Sequence, residues 1–212
     1  MSGSTNRTAA IKRKTNEVDI MGSFSLDGSG TTRISTGFEP LNHLLTLFAF
    51  HGLFDLELDA RGDLPHHIIE DIGIALGKAF KLALGEKQGI NRYGCFTAAM
   101  DKVCVEAAVD ISGRPSLHGE IMQTEVSGGR EWSMDAEEKF DNTDFTFRNA
   151  EEFLDSFVQH AGISLVYIVK SAEGDLHHIL EALFKAMGKA LDQATQCDPR
   201  RKGVPSTKGI ID

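Results

Sequence analysis

Two stretches of the chain repeat one set of side chains that could bind metal ions. The sequence HHIIE occupies residues 66–70, and HHILE occupies residues 177–181, each at the start of an apolar helical segment. On a helix, the first His and the Glu of each copy lie one turn apart on one face, while the second His points about 100° away. Each copy therefore offers two ligands in one direction and one in another.

A metal centre is favoured by the repetition of two imidazoles and a carboxylate. For either copy alone, a hydrogen-bonded His–Glu pair on the surface stays an open alternative. Neutral imidazole suits a helix N-terminus better than imidazolium does, because the helix dipole disfavours a further positive charge there. Imidazole and carboxylate ligands together admit Zn, Mn, Fe or Ni, so the residue types alone do not select the metal.

Length, charge and cysteine usage exclude several classes of protein. The chain has 212 residues, of which 41% are hydrophobic, enough for a sizeable core. Its formal net charge of −9 disfavours nucleic acid as a partner. The three cysteines form no C-x-x-C pair, and we identify neither a signal peptide nor a membrane span. We therefore expect a cytoplasmic protein that binds neither nucleic acid nor membranes.

The elements around the repeated motifs follow one plan twice. In the first half, extended patterns near residue 11 and over 20–26 and 31–36 precede a helix from Pro40, a strand over 54–60 and a helix over 65–84. In the second half we predict strands over 103–111 and 117–123, a helix over 150–162, a strand over 164–170 and a helix over 177–194. We interpret the chain as an α+β protein of duplicated ββαβα halves, with mixed four-stranded sheets and helices packed on one face.

This plan also predicts the organisation of the chain. We expect a first half over residues 9–90, a second half over 91–196, and a C-terminal tail over 197–212. The polar residues 124–149 look like an inserted arm within the second half.

Basic residues and hydroxyls could hold an anion. Arg92 and Arg114 each lie in a glycine-containing turn, and the sequence PSTKG at 205–209 places two hydroxyls beside a lysine, which suits a phosphate. Solvated surface charge is the alternative for these residues and for Lys185 and Lys208.

The motifs together resemble those of the imidazoleglycerol-phosphate dehydratase family of histidine biosynthesis. The segments RKTNEVDI, HGLFDL, HHIIED, NRYG, DISGRP, HHILEALFKA and DPRRKGVPSTKG occur in the family's order. The resemblance implies the ribosomal protein S5 domain 2-like fold in a homo-oligomer, with trimers assembled into a 24-subunit shell and active sites between subunits. It also implies a hydro-lyase that uses two Mn²⁺ ions per active site to convert imidazole glycerol phosphate into imidazole acetol phosphate. Other divalent metals are compatible with the same ligands.

The resemblance assigns roles to individual residues by position. One metal would be held by His43, His67, His177 and Glu181, and the other by His66, Glu70, Glu152 and His178. Glu17 would be the catalytic acid and base. The phosphate would be held by Arg92, Arg114, Lys185, Ser206, Thr207 and Lys208, with His51 lining the pocket; a core histidine is the alternative for His51.

Two departures from the family pattern affect the expected metal sites. Glu152 stands where the family normally has His, which adds a negative charge at the second metal. Pro65 stands directly before the first doublet, where the family has an Asp that could orient a ligand His. The alternative is therefore a diverged, non-catalytic or repurposed metal-binding homologue.

Overall fold

The computed structural model describes residues 7–122 and 138–211, so that Gln123 and residues 124–137 of the predicted arm lie outside the described part. The first half contains β1 (Thr8–Lys14), β2 (Val18–Ser25), β3 (Thr32–Ser35), α1 (Glu39–Gly52), β4 (Asp55–Gly62) and α2 (Pro65–Leu84). The second half contains β5 (Tyr93–Met100), β6 (Val103–Asp110), β7 (Ser116–Ile121), α3 (Phe147–Ala161), β8 (Ser164–Ala172) and α4 (Leu176–Thr195).

Each half forms a mixed four-stranded sheet. The strand orders are β1-β2-β4-β3 and β5-β6-β8-β7, and in both sheets the last strand in the order pairs parallel with its neighbour while the other pairs are antiparallel. The predicted α+β fold with duplicated halves is confirmed. The ββαβα notation needs one correction, because each half has three strands before its first helix. The sequence pattern does not predict β5, because its small residues do not alternate clearly in polarity.

Local sequence fixes the starts of the two helices that carry the His doublets. Pro65 occupies the first turn of α2, where its missing N–H is tolerated, and α2 spans the predicted residues. Asp175 caps α4 by accepting a hydrogen bond from the His178 backbone N–H at 3.0 Å. Both doublets therefore lie in the first turn of a long, largely buried helix.

The helices of the two halves pack in crosswise pairs, α1 with α4 and α2 with α3. Glycines permit the close approach, since a Cβ on Gly188 would lie 2.4 Å from the Phe48 carbonyl oxygen and one on Gly77 would lie 2.6 Å from that of Phe157. The internal repeat relates Gly77 to Gly188 and Phe48 to Phe157. The two pairs thus share one register, which sets the first helix of each half against the doublet helix of the other.

The C-terminal tail lies over the connection between the halves. The backbone N–H of Gly89 donates to the Gly203 carbonyl at 2.9 Å, and that of Asp198 donates to the Gly89 carbonyl at 2.9 Å. The predicted limits of the halves and of the tail remain predictions. Within residues 7–122 and 138–211, none of the helices has the length and apolarity needed to cross a membrane.

Candidate active site

The crosswise packing brings His43 of α1 to the first two turns of α4. His43, His177 and Glu181, which we call the first set, each place one potential ligand atom within 4.8 Å of the others. The Nε2 atoms of His43 and His177 lie 2.5 Å and 2.9 Å from Glu181 Oε1. Lys185 Nζ donates to Glu181 Oε2 at 2.6 Å. Three of the four ligands predicted for one metal therefore converge within one chain.

The first set contains a carboxylate that stays ionised despite its burial. Glu181 is only 6% exposed. Burial alone would raise the pKa of Glu181, but hydrogen bonds from Lys185, His43 and His177 lower it to about 2. Burial would lower the pKa of His177, whereas hydrogen bonds to Asp141 and Glu181 raise it on balance. Glu181 therefore offers a negatively charged oxygen that could bind a cation.

Residues from the described end of the predicted arm surround His177. Asp141 Oδ2 lies 3.0 Å from His177 Nδ1, and the ring of Phe140 stacks on the imidazole with centroids 4.4 Å apart. Glu138 Oε1 accepts a hydrogen bond from the Leu176 N–H at 3.2 Å. The sequence does not predict a role for Phe140 and Asp141, because their only signal is their place within the polar segment before α3.

His67 of the first doublet lies beside the predicted catalytic residue. His67 Nδ1 is 2.8 Å from Asp63 Oδ1 and 3.9 Å from Glu17 Oε2. The hydrogen bond to Asp63 raises the pKa of His67. Asp63 therefore supplies the carboxylate that was expected to be missing before this doublet. Within one chain, His67 lies with these carboxylates and not in the first set with His43.

His178 of the second doublet is oriented in the same way. Its Nδ1 lies 2.5 Å from Asp175 Oδ1, and its Nε2 lies 3.2 Å from Asp101 Oδ2. Three doublet histidines, His67, His177 and His178, thus have a carboxylate at Nδ1. A carboxylate at Nδ1 is typical of histidines that bind metals. Nε2 of His177 and of His178 also faces a carboxylate, Glu181 and Asp101 respectively.

His66, Glu70 and Glu152, which we call the second set, have the positions in α2 and α3 that His177, Glu181 and His43 have in α4 and α1. Glu152 has the position in α3 that His43 has in α1. Its Oε2 is buried without a hydrogen-bond partner among the described residues, and its Oε1 lies 3.5 Å from Arg148 Nε. Leaving a charged acceptor unpaired costs about 1–3 kcal/mol or more, which a bound cation would offset. His66 and Glu70 are exposed, and these three side chains are not as close together as the first set.

The predicted phosphate-binding residues occupy separate places. Arg92 reaches the tail, where its Nη1 donates to the Pro205 carbonyl at 3.0 Å. Within that turn the Ser206 hydroxyl accepts from the Lys208 N–H at 3.2 Å, and Thr207 and Lys208 are exposed.

The remaining predicted binding residues lie elsewhere on the chain. Lys185 belongs to the surroundings of the first set, and His51 is near it, since burial and then the charges of Lys185 and Lys189 lower the pKa of His51. Arg114 is exposed after β6. No hydrogen bond joins Arg114 to the tail or to Lys185 in the part of the chain that the structure describes.

Known proteins match this chain along nearly its whole length. The family model described as imidazoleglycerol-phosphate dehydratase matches residues 36–191. Proteins of that name from Pelobacter propionicus and a Thermoanaerobacter species are 48% and 44% identical, over 97% of this chain and 99% and 100% of the relatives. Crystal structures of the enzyme from Staphylococcus aureus and Pyrococcus furiosus superpose with TM-scores of 0.74 and 0.75 at 32% and 33% identity. They cover 90% and 94% of this chain, and 99% of each of those chains is matched. The chain therefore belongs to the imidazoleglycerol-phosphate dehydratase family and is a hydro-lyase of histidine biosynthesis.

Proposed function

We propose that the protein is a Mn²⁺-dependent enzyme that removes water from imidazole glycerol phosphate to give imidazole acetol phosphate, in the cytoplasm. The observation that carries this proposal is the convergence of His43, His177 and Glu181 from the two halves. Membership of the family supports the substrate, and the carboxylates at the histidine Nδ1 atoms support metal binding.

The donor atoms fit two divalent ions. The first set supplies two imidazoles and a carboxylate, a ligand type that Mn²⁺ accepts. The second set supplies the unpartnered oxygen of Glu152 together with His66 and Glu70. The ligand group that converges within one chain contains neither His67 nor His178, so we assign these two residues to the sets of neighbouring copies. This requires a homo-oligomer, and we propose trimers that assemble into a 24-mer.

The proposed reaction divides the work between metals and side chains. Bound metal ions would withdraw electrons from the imidazole ring of the substrate and acidify the adjacent C–H group. The Glu17 carboxylate would take that proton and would also protonate the departing hydroxyl, which leaves as water. Glu17 is exposed beside His67, where it can reach a substrate held at the first doublet.

Cationic and hydroxyl groups would hold the other end of the substrate. Charge-assisted hydrogen bonds to the phosphate would fix the position of the reacting carbon. The residues that we assign to this task are Arg92, Arg114, Lys185, Ser206, Thr207 and Lys208, with His51 lining the pocket.

An activity assay of the Mn²⁺-loaded protein tests the proposal. We expect formation of imidazole acetol phosphate, and we expect Glu17→Gln to lower kcat by about 10²-fold or more while the Mn²⁺ content is unchanged. The matched control is Glu57→Gln, since Glu57 is an exposed carboxylate on β4. Equal activity of the two variants would rule out the role of Glu17, and an inert wild-type protein would rule out the reaction.

Glu152 favours a second candidate function. A carboxylate at this position reduces the electron-withdrawing power of a metal in the second set relative to a neutral imidazole. The protein would then be a diverged homologue that binds metal without turning over the usual substrate. Metal-loaded wild-type protein that is inert, but gains activity through Glu152→His, would support this candidate.

A further inference from the structure

Arg92 joins the second sheet to the C-terminal tail. Its Nε and Nη2 donate to Asp110 Oδ1 and Oδ2 at 2.7 Å and 3.1 Å, and its Nη1 donates to the Pro205 carbonyl at 3.0 Å. The guanidinium carbon lies 4.9 Å from the centroid of the Tyr93 ring. A guanidinium has five N–H groups, so these contacts leave two for a ligand.

Arg7 repeats this arrangement in the first half. Its Nε and Nη2 donate to Asp27 Oδ2 and Oδ1 at 2.9 Å and 2.6 Å, and its Nη1 donates to the Thr195 carbonyl at 2.7 Å. Each arginine directly precedes the first strand of its half, and each aspartate lies at or just after the end of the second strand. The accepting carbonyls differ: Thr195 ends α4, whereas Pro205 begins the PSTKG turn.

Arg92 is one of the groups that attach the PSTKG turn to the rest of the protein. Inside the turn, the Lys208 N–H donates to Ser206 Oγ at 3.2 Å, and the Gly209 N–H donates to the Ser206 carbonyl at 3.0 Å. Arg92 contacts the turn from inside, at Pro205, while the flanking Gly203 carbonyl accepts from the Gly89 N–H at 2.9 Å and the Ile211 carbonyl accepts from Lys87 Nζ at 3.4 Å. The guanidinium therefore supplies a contact within the turn, between the two attachments that flank it.

We propose that Asp110 is a positioning residue that acts through Arg92 to hold the PSTKG turn in its phosphate-binding position. Two parallel hydrogen bonds to one carboxylate fix the plane of the guanidinium, which single bonds cannot do. With that plane fixed, Nη1 meets the Pro205 carbonyl at 3.0 Å. The inference rests on the proposed function, which assigns the turn to the substrate phosphate.

The two aspartates provide a matched pair of variants for steady-state kinetics. Asp110→Asn replaces one acceptor oxygen by a donor and breaks the paired hydrogen bonds, so we expect KM for imidazole glycerol phosphate to rise by roughly tenfold with little change in kcat. Asp27→Asn breaks the equivalent pair at Thr195, and we expect no change in KM. Asp110→Glu retains the charge and should recover part of the lost affinity.

Two further measurements do not depend on turnover. Calorimetric titration with inorganic phosphate should show weaker binding to Asp110→Asn by a similar factor, and unchanged binding to Asp27→Asn. Trypsin should cleave the tail of Asp110→Asn faster at Arg200, Arg201, Lys202 and Lys208 than the tails of wild type and Asp27→Asn. Thermal unfolding of both variants then shows whether faster cleavage comes from a displaced tail or from a lower stability of the whole protein.

The results separate failure of this inference from failure of the proposed function. If Asp110→Asn binds phosphate as tightly as Asp27→Asn, or loses only stability, the positioning role is wrong, whatever the cleavage rate. If phosphate binding weakens as expected but no variant forms product, the positioning role stands and the proposed reaction falls.

Discussion

The first and second sets occupy equivalent places in the two halves but differ in chemistry. In the first set, the imidazole of His43 meets the carboxylate of Glu181, and the pair is held by direct hydrogen bonding. In the second set, the equivalent positions hold Glu152 and Glu70, two carboxylates that cannot hydrogen-bond to each other while both are ionised. The duplicated backbone thus sets the positions, while the side-chain types decide whether a set is assembled before a ligand binds.

The neighbouring side chains also favour assembly of the first set before a ligand binds. Lys185 and the residues Phe140 and Asp141 surround the first set. The repeat places Ile74 of α2 at the position of Lys185, so the second set lacks that cation. Lys185 therefore stabilises the first set through an ion pair, and Ile74 cannot make an equivalent ion pair in α2.

The largest expected effect comes from removing the two equivalent carboxylates in metal-free protein. Glu181→Gln leaves Lys185 and two histidines without their buried anion, and we expect the free energy of unfolding to fall by about 3 kcal/mol. Glu70 is exposed, so Glu70→Gln should change it by no more than about 0.5 kcal/mol. Urea unfolding in the presence of a chelator measures both, and similar losses would contradict the view that only the first set is preassembled.

Alanine substitutions at the glycine contacts between α1 and α4 and between α2 and α3 should lower the stability by similar amounts. A Cβ on Gly188 or Gly77 would approach the facing carbonyl oxygen to 2.4 Å or 2.6 Å, so each Gly→Ala change must push the helices apart. We expect each to cost about 1–3 kcal/mol, with Lys78→Ala on the exposed side of α2 as the near-neutral control. Melting temperatures measure the losses. If one glycine tolerated alanine, the two pairs would not share a common packing register.

The sequence predicts what depends on local pattern and misses what depends on distant packing. Helix α2 was predicted with its observed bounds, because Pro65 and Gly85 mark its ends. Glu181 was predicted as a metal ligand because it lies one helical turn after His177 in the repeated motif. The meeting of His43 with α4 required the resemblance to a family, since it depends on a contact between α1 and Gly188 that no local spacing encodes.

The contacts that the sequence does not predict have the same physical cause. Asp141 and Phe140 approach His177 from a segment more than thirty residues away in sequence, and only the folded chain makes them neighbours. The sequence does not predict the contact of Asp63, because its carboxylate reaches the second His of the doublet from four residues earlier in the chain. Arg92 was assigned to the phosphate alone, whereas three of its nitrogens contact Asp110 and Pro205.

The smallest expected effect concerns the ion pair that ties the start of the first half to the end of α4. The hydrogen bond from Arg7 lowers the pKa of Asp27, so the pair stabilises the fold fully above the unfolded-state value of about 3.9 and loses this contribution as the pH falls through the lowered folded-state value. Asp27 is 39% exposed, and solvent screening limits the contribution to about 0.5 kcal/mol. Between pH 5 and pH 2.5, wild type should therefore lose slightly more stability than Asp27→Asn in urea titrations. Parallel losses in the two proteins would mean that Arg7 holds the Thr195 carbonyl without help from the ionised carboxylate of Asp27.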